Sequence, residues 1–248
     1  MNSWNIGAAH EIEIAFADAE IGAAGRMVED ARRSAPVVVQ PLAGCGECEA
    51  CRAGRDNLCA MPVKLFAPGQ DGRWARRMVA DPRLLLPVPD NLPLRLAVLV
   101  PVVAELLRAV RRCDVGEGET LGLIGDGARI DLARLVADAC HVTTAPVEGD
   151  VPQGLTSVLH LGPPKATFGS AIRVLGHIGR VVMMRAGGHE PMTIPDYYRQ
   201  MIIKETAIVG SGRPTRNDLV AAVALVHGKR ADPSFLSVAD RLQITSMD

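Results

Sequence analysis

Hydrophobic residues follow two different periodicities along the chain. Residues 1–41 hold short apolar runs, ending in the β-branched Val37–Val39, which predict short strands joined by turns. Residues 42–72 are rich in Gly, Cys and Pro and predict a loop, and the prolines of residues 81–93 exclude a helix interior. Over residues 93–112 apolar side chains recur at three- and four-residue spacing, so this stretch is predicted to be helical.

The rest of the chain alternates short apolar strands with helices. Such alternation predicts a parallel sheet with helices on both faces, which places the chain in the α/β class. The sequence after Lys229 is only weakly patterned. The predicted strands are 121–127, which runs into a glycine turn, 141–145, 157–161, 180–188 and 204–211. The predicted helices are 128–140, 166–176 and 217–229.

Composition narrows the class of partner. The 248 residues are 48% apolar and 22% charged with a formal net charge of −1, which suffices for one large domain or two smaller ones. A near-neutral chain lacks the concentrated basic face that nucleic acid or an anionic membrane requires. The N-terminus has no basic leader before an apolar run, and no stretch approaches the ~18 apolar residues of a membrane span. We therefore expect a cytoplasmic protein that binds neither nucleic acid nor a membrane.

Four of the six cysteines form a cluster with the spacing C-x2-C-x2-C-x7-C. A loop with glycines can bring four thiolates to ~2.3 Å from one tetrahedral ion, and four protein ligands make a closed, structural site. A redox pair is expected between a strand and a helix, and an iron–sulfur cluster usually has other spacing. The sequence thus predicts one structural zinc ion on Cys45, Cys48, Cys51 and Cys59, whereas Cys113 and Cys140 are expected to be small buried hydrophobes.

The stretch around the cysteines, PLAGCGECEACRAGRDNLC, resembles the zinc lobe of the medium-chain dehydrogenase/reductase superfamily, in its zinc-dependent alcohol and polyol dehydrogenase branch. The resemblance continues through residues 71–93, the linking helix and residues 121–140, and it resumes at 180–195 and 204–211. It implies a GroES-like β domain, here shortened at both its ends, followed by a reduced Rossmann-type domain. It also implies a homodimer formed through a sheet edge that residues 204–211 could supply.

From this resemblance we divide the chain into three parts. The first is a shortened GroES-like domain over 1–92 with its zinc lobe at about 42–70. The second comprises the linking helix and the reduced Rossmann-like domain over 93–212. The third is a C-terminal helix and tail over 213–248.

The catalytic zinc site of the family has few counterparts in this chain. The Gly-His-Glu motif of the family corresponds to Ala9-His10-Glu11, so His10 and Glu11 are the candidate catalytic residues. Pro101 stands where the family carries an acidic ligand, and Glu105, one helical turn later, is not an obvious replacement. A catalytic zinc needs about three protein ligands and an open position. We therefore expect no catalytic zinc.

The dinucleotide fingerprint G-x-G-x-x-G is only partly present. Gly125 and Gly127 can form the tight turn and expose backbone N–H groups, so they are the candidate cofactor-binding residues. The third glycine is replaced by Ile130. Asp126 and Asp131 add negative charge where a pyrophosphate would lie, and Arg129 offsets some of it.

Two further parts of the NAD(P) site are reduced. The strand predicted at 141–145 is not followed by the acid that would bind the adenosine ribose, and Glu148 comes three residues late. Only residues 146–156 separate this strand from the next, too few for a crossover plus an added strand. A sheet that has lost a strand is expected, and these departures weigh against NAD(P).

Three functions fit this pattern. The preferred one is a non-redox step such as cyclisation, isomerisation or elimination on an organic molecule in the interdomain cleft. A second is an NAD(P)-dependent oxidoreductase acting without catalytic zinc, and a third is a non-catalytic dimeric partner or scaffold. Candidate acid–base groups for the first are His10, Glu11, His189, Tyr197 and Tyr198.

Overall fold

The chain divides into two compact units. One consists of Met1–Ala104 together with Arg213–Asp248, and the other of Glu105–Gly212. Residues 93–104, which were predicted to belong with the Rossmann-like domain, and residues 213–248, which were predicted to form a part of their own, both group with the first unit. The computed structural model describes residues 9–18, 22–28, 35–65, 74–147, 153–162, 164–184, 193–242 and 244–247.

Secondary-structure elements are numbered here along the chain. The strands are β1 (His10–Asp18), β2 (Gly22–Met27), β3 (Pro36–Val39), β4 (Leu42–Ala43), β5 (Val63–Lys64), β6 (Arg77–Ala80), β7 (Leu85–Pro87), β8 (Thr120–Ile124), β9 (Thr143–Pro146), β10 (Leu155–His160), β11 (Leu175–Met184), β12 (Ala207–Ser211) and β13 (Thr245–Ser246). The α-helices are α1 (Glu49–Arg52), α2 (Leu94–Ala97), α3 (Val100–Cys113), α4 (Gly127–Ala139), α5 (Pro164–Arg173), α6 (Arg216–Gly228) and α7 (Pro233–Asp240). Short 3-10 turns occupy Asp56–Leu58 and Pro82–Leu84, and Tyr198–Ile203 form a π-helix.

The first unit is built on an antiparallel sheet with the strand order β13-β1-β2-β3-β7, and β6 pairs with β1 beside β13. Alternation in β1 sets its two faces, because Ile12 and Ile14 are fully buried while Glu11 is exposed. Val37 and Val39 of β3 join them in one core cluster. Strands β4 and β5 form a separate two-stranded ribbon that flanks the cysteine loop.

The helix predicted over residues 93–112 is two helices. Helix α2 ends at Ala97 and α3 begins at Val100. Pro101 has no N–H to donate to the carbonyl of Ala97, so a continuous helix would lose a bond there, and the ring suits a first turn instead. The backbone turns at Val98, and Pro101 lies in the first turn of α3.

The second unit contains the predicted parallel sheet. Its five strands have the order β12-β11-β10-β8-β9, and all four pairings are parallel. A complete dinucleotide-binding sheet has the order 3-2-1-4-5-6. Within the described residues the sheet follows that order without its third strand, in agreement with the short connection between β9 and β10. The central strands β8 and β10 are nearly continuous buried runs, as expected of a sheet covered on both faces, whereas the edge strands β9 and β12 are mostly exposed or half-buried.

The chain then supplies two helices to the first unit. Helix α6 buries Leu219, Ala222 and Val226, which lie three and four positions apart on one face. Helix α7 was not predicted, although its beginning has a clear signal: Asp232 caps it through Ser234 and Phe235, and a proline follows the cap. Within the part of the chain that the structure describes, no helix is both long and apolar enough to cross a membrane.

Candidate functional site

The four clustered cysteines converge on one point in the loop between β4 and β5. The Sγ atoms of Cys45, Cys48, Cys51 and Cys59 all lie within 4.8 Å of one another. Cys45 Sγ is 3.9 Å from Cys51 Sγ, and Cys48 Sγ is 3.9 Å from Cys59 Sγ. Thiolates at ~2.3 Å around a tetrahedral ion are about 3.8 Å apart, so the four residues fit one zinc ion.

Local backbone geometry explains why this loop can gather four thiols. Gly46 and Gly54 adopt φ values of +86° and +70°, which a side chain would strain. The N–H of Cys45 donates to Cys59 Sγ, and the N–H of Cys48 donates to Cys45 Sγ, each at 3.4 Å. Backbone N–H groups, first that of Glu47, lower the pKa of the Cys45 thiol below its ordinary value, and the thiolate is the form that binds metal.

Two arginines connect the cysteine lobe by hydrogen bonds to the rest of the first unit. Arg83 forms a fork with Asp81, from Nε at 2.9 Å and Nη2 at 2.7 Å, and its Nη1 donates to the carbonyl of Cys45 at 3.3 Å. At the start of α6, Arg216 donates from its backbone N–H to the Asp56 carboxylate and from Nη2 to the carbonyl of Leu85. The contacts to Cys45, Asp56 and Leu85 could not be predicted from the sequence because they join residues far apart in the chain.

The predicted phosphate turn has the expected backbone. β8 runs into Gly125, and α4 begins at Gly127. Gly125 has φ +148°, and a Cβ there would lie 3.0 Å from Leu161 Cβ, while Gly127 has φ +66°. Both positions therefore require glycine, as a tight turn at the carboxyl edge of a parallel sheet demands.

The surroundings of this turn fit a pyrophosphate less well. Ile130, in place of the third glycine, is buried against the turn, and Asp126 is exposed beside it. Arg129 pairs with Glu105 at 2.9 Å, so its charge is partly neutralised by the protein itself. Strand β9 carries only Thr, Ala and Pro where the family resemblance implies an acid near its end. The glycine turn therefore fits a dinucleotide, but these parts around it do not.

The other candidate residues are not members of the cysteine cluster. His10 and Glu11 are on β1, where they pair in register with Ala80 and Val79 of β6. Glu11 is an exposed residue 3.9 Å from Arg77, as expected of a strand-edge ion pair. Tyr197 and Tyr198 belong to the second unit and are more than half exposed. His189 and Glu148 lie outside the described residues.

The two remaining cysteines differ from each other. Cys113 is completely buried, and desolvation raises the pKa of its thiol to about 12, so it is the inert small hydrophobe that was predicted. Cys140 is only partly buried at the end of α4, and burial raises its pKa as well.

Comparisons with known proteins agree with the fold and the cysteine lobe. The family model "Alcohol dehydrogenase GroES-like domain" matches residues 17–90. The sorbitol dehydrogenase of Bacillus subtilis is 32% identical over 108 residues, which are 44% of this chain and 31% of that protein. An uncharacterized zinc-type alcohol dehydrogenase-like protein of Haemophilus influenzae is 33% identical over 128 residues, 52% of this chain and 36% of the relative. The matched region thus spans about a third of these relatives.

Solved structures give the same fold over most of the chain. Acetophenone reductase from Geotrichum candidum, in complex with NAD, superposes with a TM-score of 0.77 at 17% identity, covering 98% of this chain and 88% of the other. D-arabinose dehydrogenase from Sulfolobus solfataricus gives 0.74 at 15% identity, covering 92% and 89%. At such low sequence identities these superpositions establish the architecture alone: a GroES-like domain and a Rossmann-like parallel sheet. The family model and the sequence relatives support the expected resemblance to the medium-chain dehydrogenase/reductase superfamily and its zinc-type alcohol dehydrogenase-like proteins.

Proposed function

We propose that this protein holds one structural zinc ion and no catalytic zinc, and performs a non-redox step on an organic molecule. Cyclisation, isomerisation and elimination are the reaction types we favour. A cytoplasmic location fits the six free cysteines of the structure.

The distribution of metal-binding side chains carries this proposal. Within the described residues, the four cysteines are the sole group of three or more His, Cys, Asp or Glu side chains close enough to share an ion. A catalytic zinc needs about three such ligands. His10 and Glu11 are adjacent on a strand and so point to opposite faces of the sheet. Pro101 offers no donor atom, and Glu105 already pairs with Arg129.

Metal analysis together with cofactor titration tests the proposal. Mass spectrometry of the purified full chain should give one zinc per chain, and calorimetric titration with NADH and NADPH should give no saturable heat. Two zinc ions per chain would contradict the loss of the catalytic site. Micromolar binding of either nucleotide would replace the non-redox proposal with the oxidoreductase alternative.

That alternative, an NAD(P)-dependent oxidoreductase without catalytic zinc, draws on one specific observation. Gly125 and Gly127 keep the backbone of a dinucleotide turn. The acetophenone reductase from Geotrichum candidum, of the same fold, is in complex with NAD. The replaced third glycine and the pairing of Arg129 with Glu105 weigh against it here.

A dimer is the partner that we propose, whether the protein is an enzyme or a non-catalytic scaffold. β12 lies at the edge of the parallel sheet, so one side of its backbone is unpaired in the described residues. Ile208, within this strand, is 37% exposed, and Ile203, which precedes it, is 53% exposed. Light scattering on the wild type and on Ile208→Asp tests this, with a dimer expected for the first and a monomer for the second. A monomeric wild type would overturn it.

A further inference from the structure

A cavity of about 720 Å³ lies within the first unit, against the cysteine lobe. Its walls come from three segments: the lobe, the stretch that contains the 3-10 turn Pro82–Leu84 and β7, and the first turn of α6. On the lobe side the wall consists of small residues, including Gly44, Gly46 and Gly54, and it reaches Cys51. Ligand pockets commonly measure ~300–1,000 Å³, so this cavity has room for a small organic molecule.

The charged groups that line the cavity already have partners in the protein. Arg83 is engaged by Asp81 through two hydrogen bonds. Arg216 donates from Nη1 to the carbonyl of Arg83 at 3.2 Å and from Nη2 to the carbonyl of Leu85 at 3.1 Å. Asp56 accepts the backbone N–H of Arg216, and its negative charge acts on the Arg216 guanidinium. The charges of the wall therefore balance in two pairs, Arg83 with Asp81 and Arg216 with Asp56, so a charged ligand would leave a net charge that costs free energy to bury.

Three polar side chains line the cavity and can orient a ligand: Asp56, Asn217 and Gln40, whose Nε2 donates to the carbonyl of Arg83 at 3.4 Å. The carboxylate of Asp56 accepts from one N–H, which leaves lone pairs for a ligand hydroxyl or amide N–H. Asn217 follows Arg216 in the first turn of α6, is exposed, and lines the cavity with both a donor and an acceptor. The remaining residues that line the cavity are mostly apolar residues or glycines, such as Ala43 and Pro87.

We propose that this cavity binds an uncharged organic molecule with a compact apolar body and one hydroxyl or amide group held by Asp56 and Asn217. All the residues that line the cavity belong to the first unit, and none belongs to the Gly125–Gly127 turn. The proposal thus goes beyond the proposed function, which assigns no ligand to this cavity.

The cavity wall is also part of the metal lobe. Gly44 packs so closely that a Cβ there would lie 2.8 Å from Cys51 Sγ and 2.8 Å from Asp56 Cβ. An ion that fixes Cys51 therefore also fixes the wall that carries Asp56. Removing the metal should weaken ligand binding.

Three probes with the same ring and different charge test the proposal on the zinc-loaded full chain. They are 1-naphthalenemethanol, 1-naphthoate and 1-naphthylmethylammonium, titrated by calorimetry. The alcohol is expected to bind about tenfold more tightly than either ion, since only the ions bury a charge. No saturable binding of the alcohol up to about 1 mM, a limit that corresponds to roughly 4 kcal/mol of binding free energy, would overturn the site. Tighter binding of either ion would overturn the ligand class.

Two variants on the same helix locate the probe. Asn217→Phe places a ring at the cavity wall and should weaken binding of 1-naphthalenemethanol about tenfold by occluding it. Val220→Phe is the matched control, because Val220 is 55% exposed on α6 and does not line the cavity. Equal binding by Asn217→Phe and the wild type would place the probe elsewhere and refute the proposal. Zinc counting and nucleotide titration, which test the proposed function, do not depend on this outcome.

Discussion

The backbone N–H of Arg216 donates to both carboxylate oxygens of Asp56, at 3.0 Å to Oδ2 and 3.3 Å to Oδ1, across 160 positions of sequence. The carboxylate thereby satisfies a free N–H in the first turn of α6 and opposes the positive end of its dipole. The same contact binds the C-terminal segment to the cysteine lobe. A single acidic side chain thus stabilises both a helix and the position of a metal-binding loop.

Replacing Asp56 should therefore destabilise the first unit. Asp56→Ala removes a hydrogen bond to a charged group, so the free energy of unfolding should fall by about 1–3 kcal/mol, measured by urea denaturation. Asp240→Ala is the control, because Asp240 pairs with Arg95 on an exposed surface, and the loss there should be about 0–1 kcal/mol. Equal losses of unfolding free energy in the two variants would show that the contact between Asp56 and α6 stabilises the protein no more than an exposed ion pair does.

Gly44 should prove essential to zinc retention although it is not a ligand. Gly44→Ala places a Cβ 2.8 Å from Cys51 Sγ and must displace that ligand or Asp56. We expect zinc to be bound about 10-fold more weakly, as measured by competition with a chromogenic chelator. Gly212→Ala, where nothing lies within 4 Å of the added atom, should leave zinc binding unchanged. Retention of zinc by Gly44→Ala at wild-type affinity would contradict the packing described here.

Loss of one thiol should release the metal and unfold the lobe. Cys59 is the most buried of the four ligands, at 5% exposure, so a substituted side chain there has no room to move aside. Cys59→Ser should lower zinc below one ion per chain, measured by mass spectrometry, and lower the melting temperature, because zinc binding contributes to folding. Cys140→Ser lies outside the cluster and should keep its zinc. Full zinc occupancy in Cys59→Ser would refute four-thiolate binding.

His160 should make stability depend on pH near neutrality. Burial lowers the pKa of its imidazole, which lies 2.8 Å from the Thr167 hydroxyl. As pH falls below about 6.5, the unfolded chain takes up a proton that the folded imidazole does not, so the folded state loses stability until its own lower pKa is reached.

His160→Gln should remove this loss. Urea denaturation between about pH 7.5 and pH 5.5 should give a smaller decrease in stability for this variant than for the wild type. His177→Gln, an exposed position on β11, should keep the wild-type decrease. A variant at His160 whose stability falls with pH as steeply as the wild type would assign the effect to other groups.

Local patterns predicted the parts of this molecule that depend on neighbours in sequence. The spacing of the cysteines identified the metal cluster, because all four ligands lie in one short loop. Alternation of strands and helices gave the five parallel strands, and the short connection before β10 indicated the lost one. The missed helix α7 had its signal in Asp232 and the following proline, which the weak apolar periodicity obscured.

Contacts between distant residues could not be predicted in the same way. Neither Arg83 nor Arg216 belongs to a motif, and each becomes informative only when the fold brings it to the cysteine lobe. The interruption between helices α2 and α3 was missed as well. Pro101 is evident in the sequence, but the position of the interruption depends on the carbonyl with which its missing N–H would have bonded. The cavity beside Cys51 is made by three separate segments, and no one of them indicates it.

The pairing of β13 with β1 has a consequence for the order in which the chain can fold. Phe16 and Ala17 pair with Ser246 and Thr245, so β13 can join the antiparallel sheet only after every other described strand has been synthesised. The five described parallel strands, in contrast, all lie in the uninterrupted stretch Glu105–Gly212. On the ribosome the parallel sheet of the second unit therefore has its described strands before the antiparallel sheet of the first unit does, and the contacts of the cysteine lobe with α6 can form only after α6 has emerged.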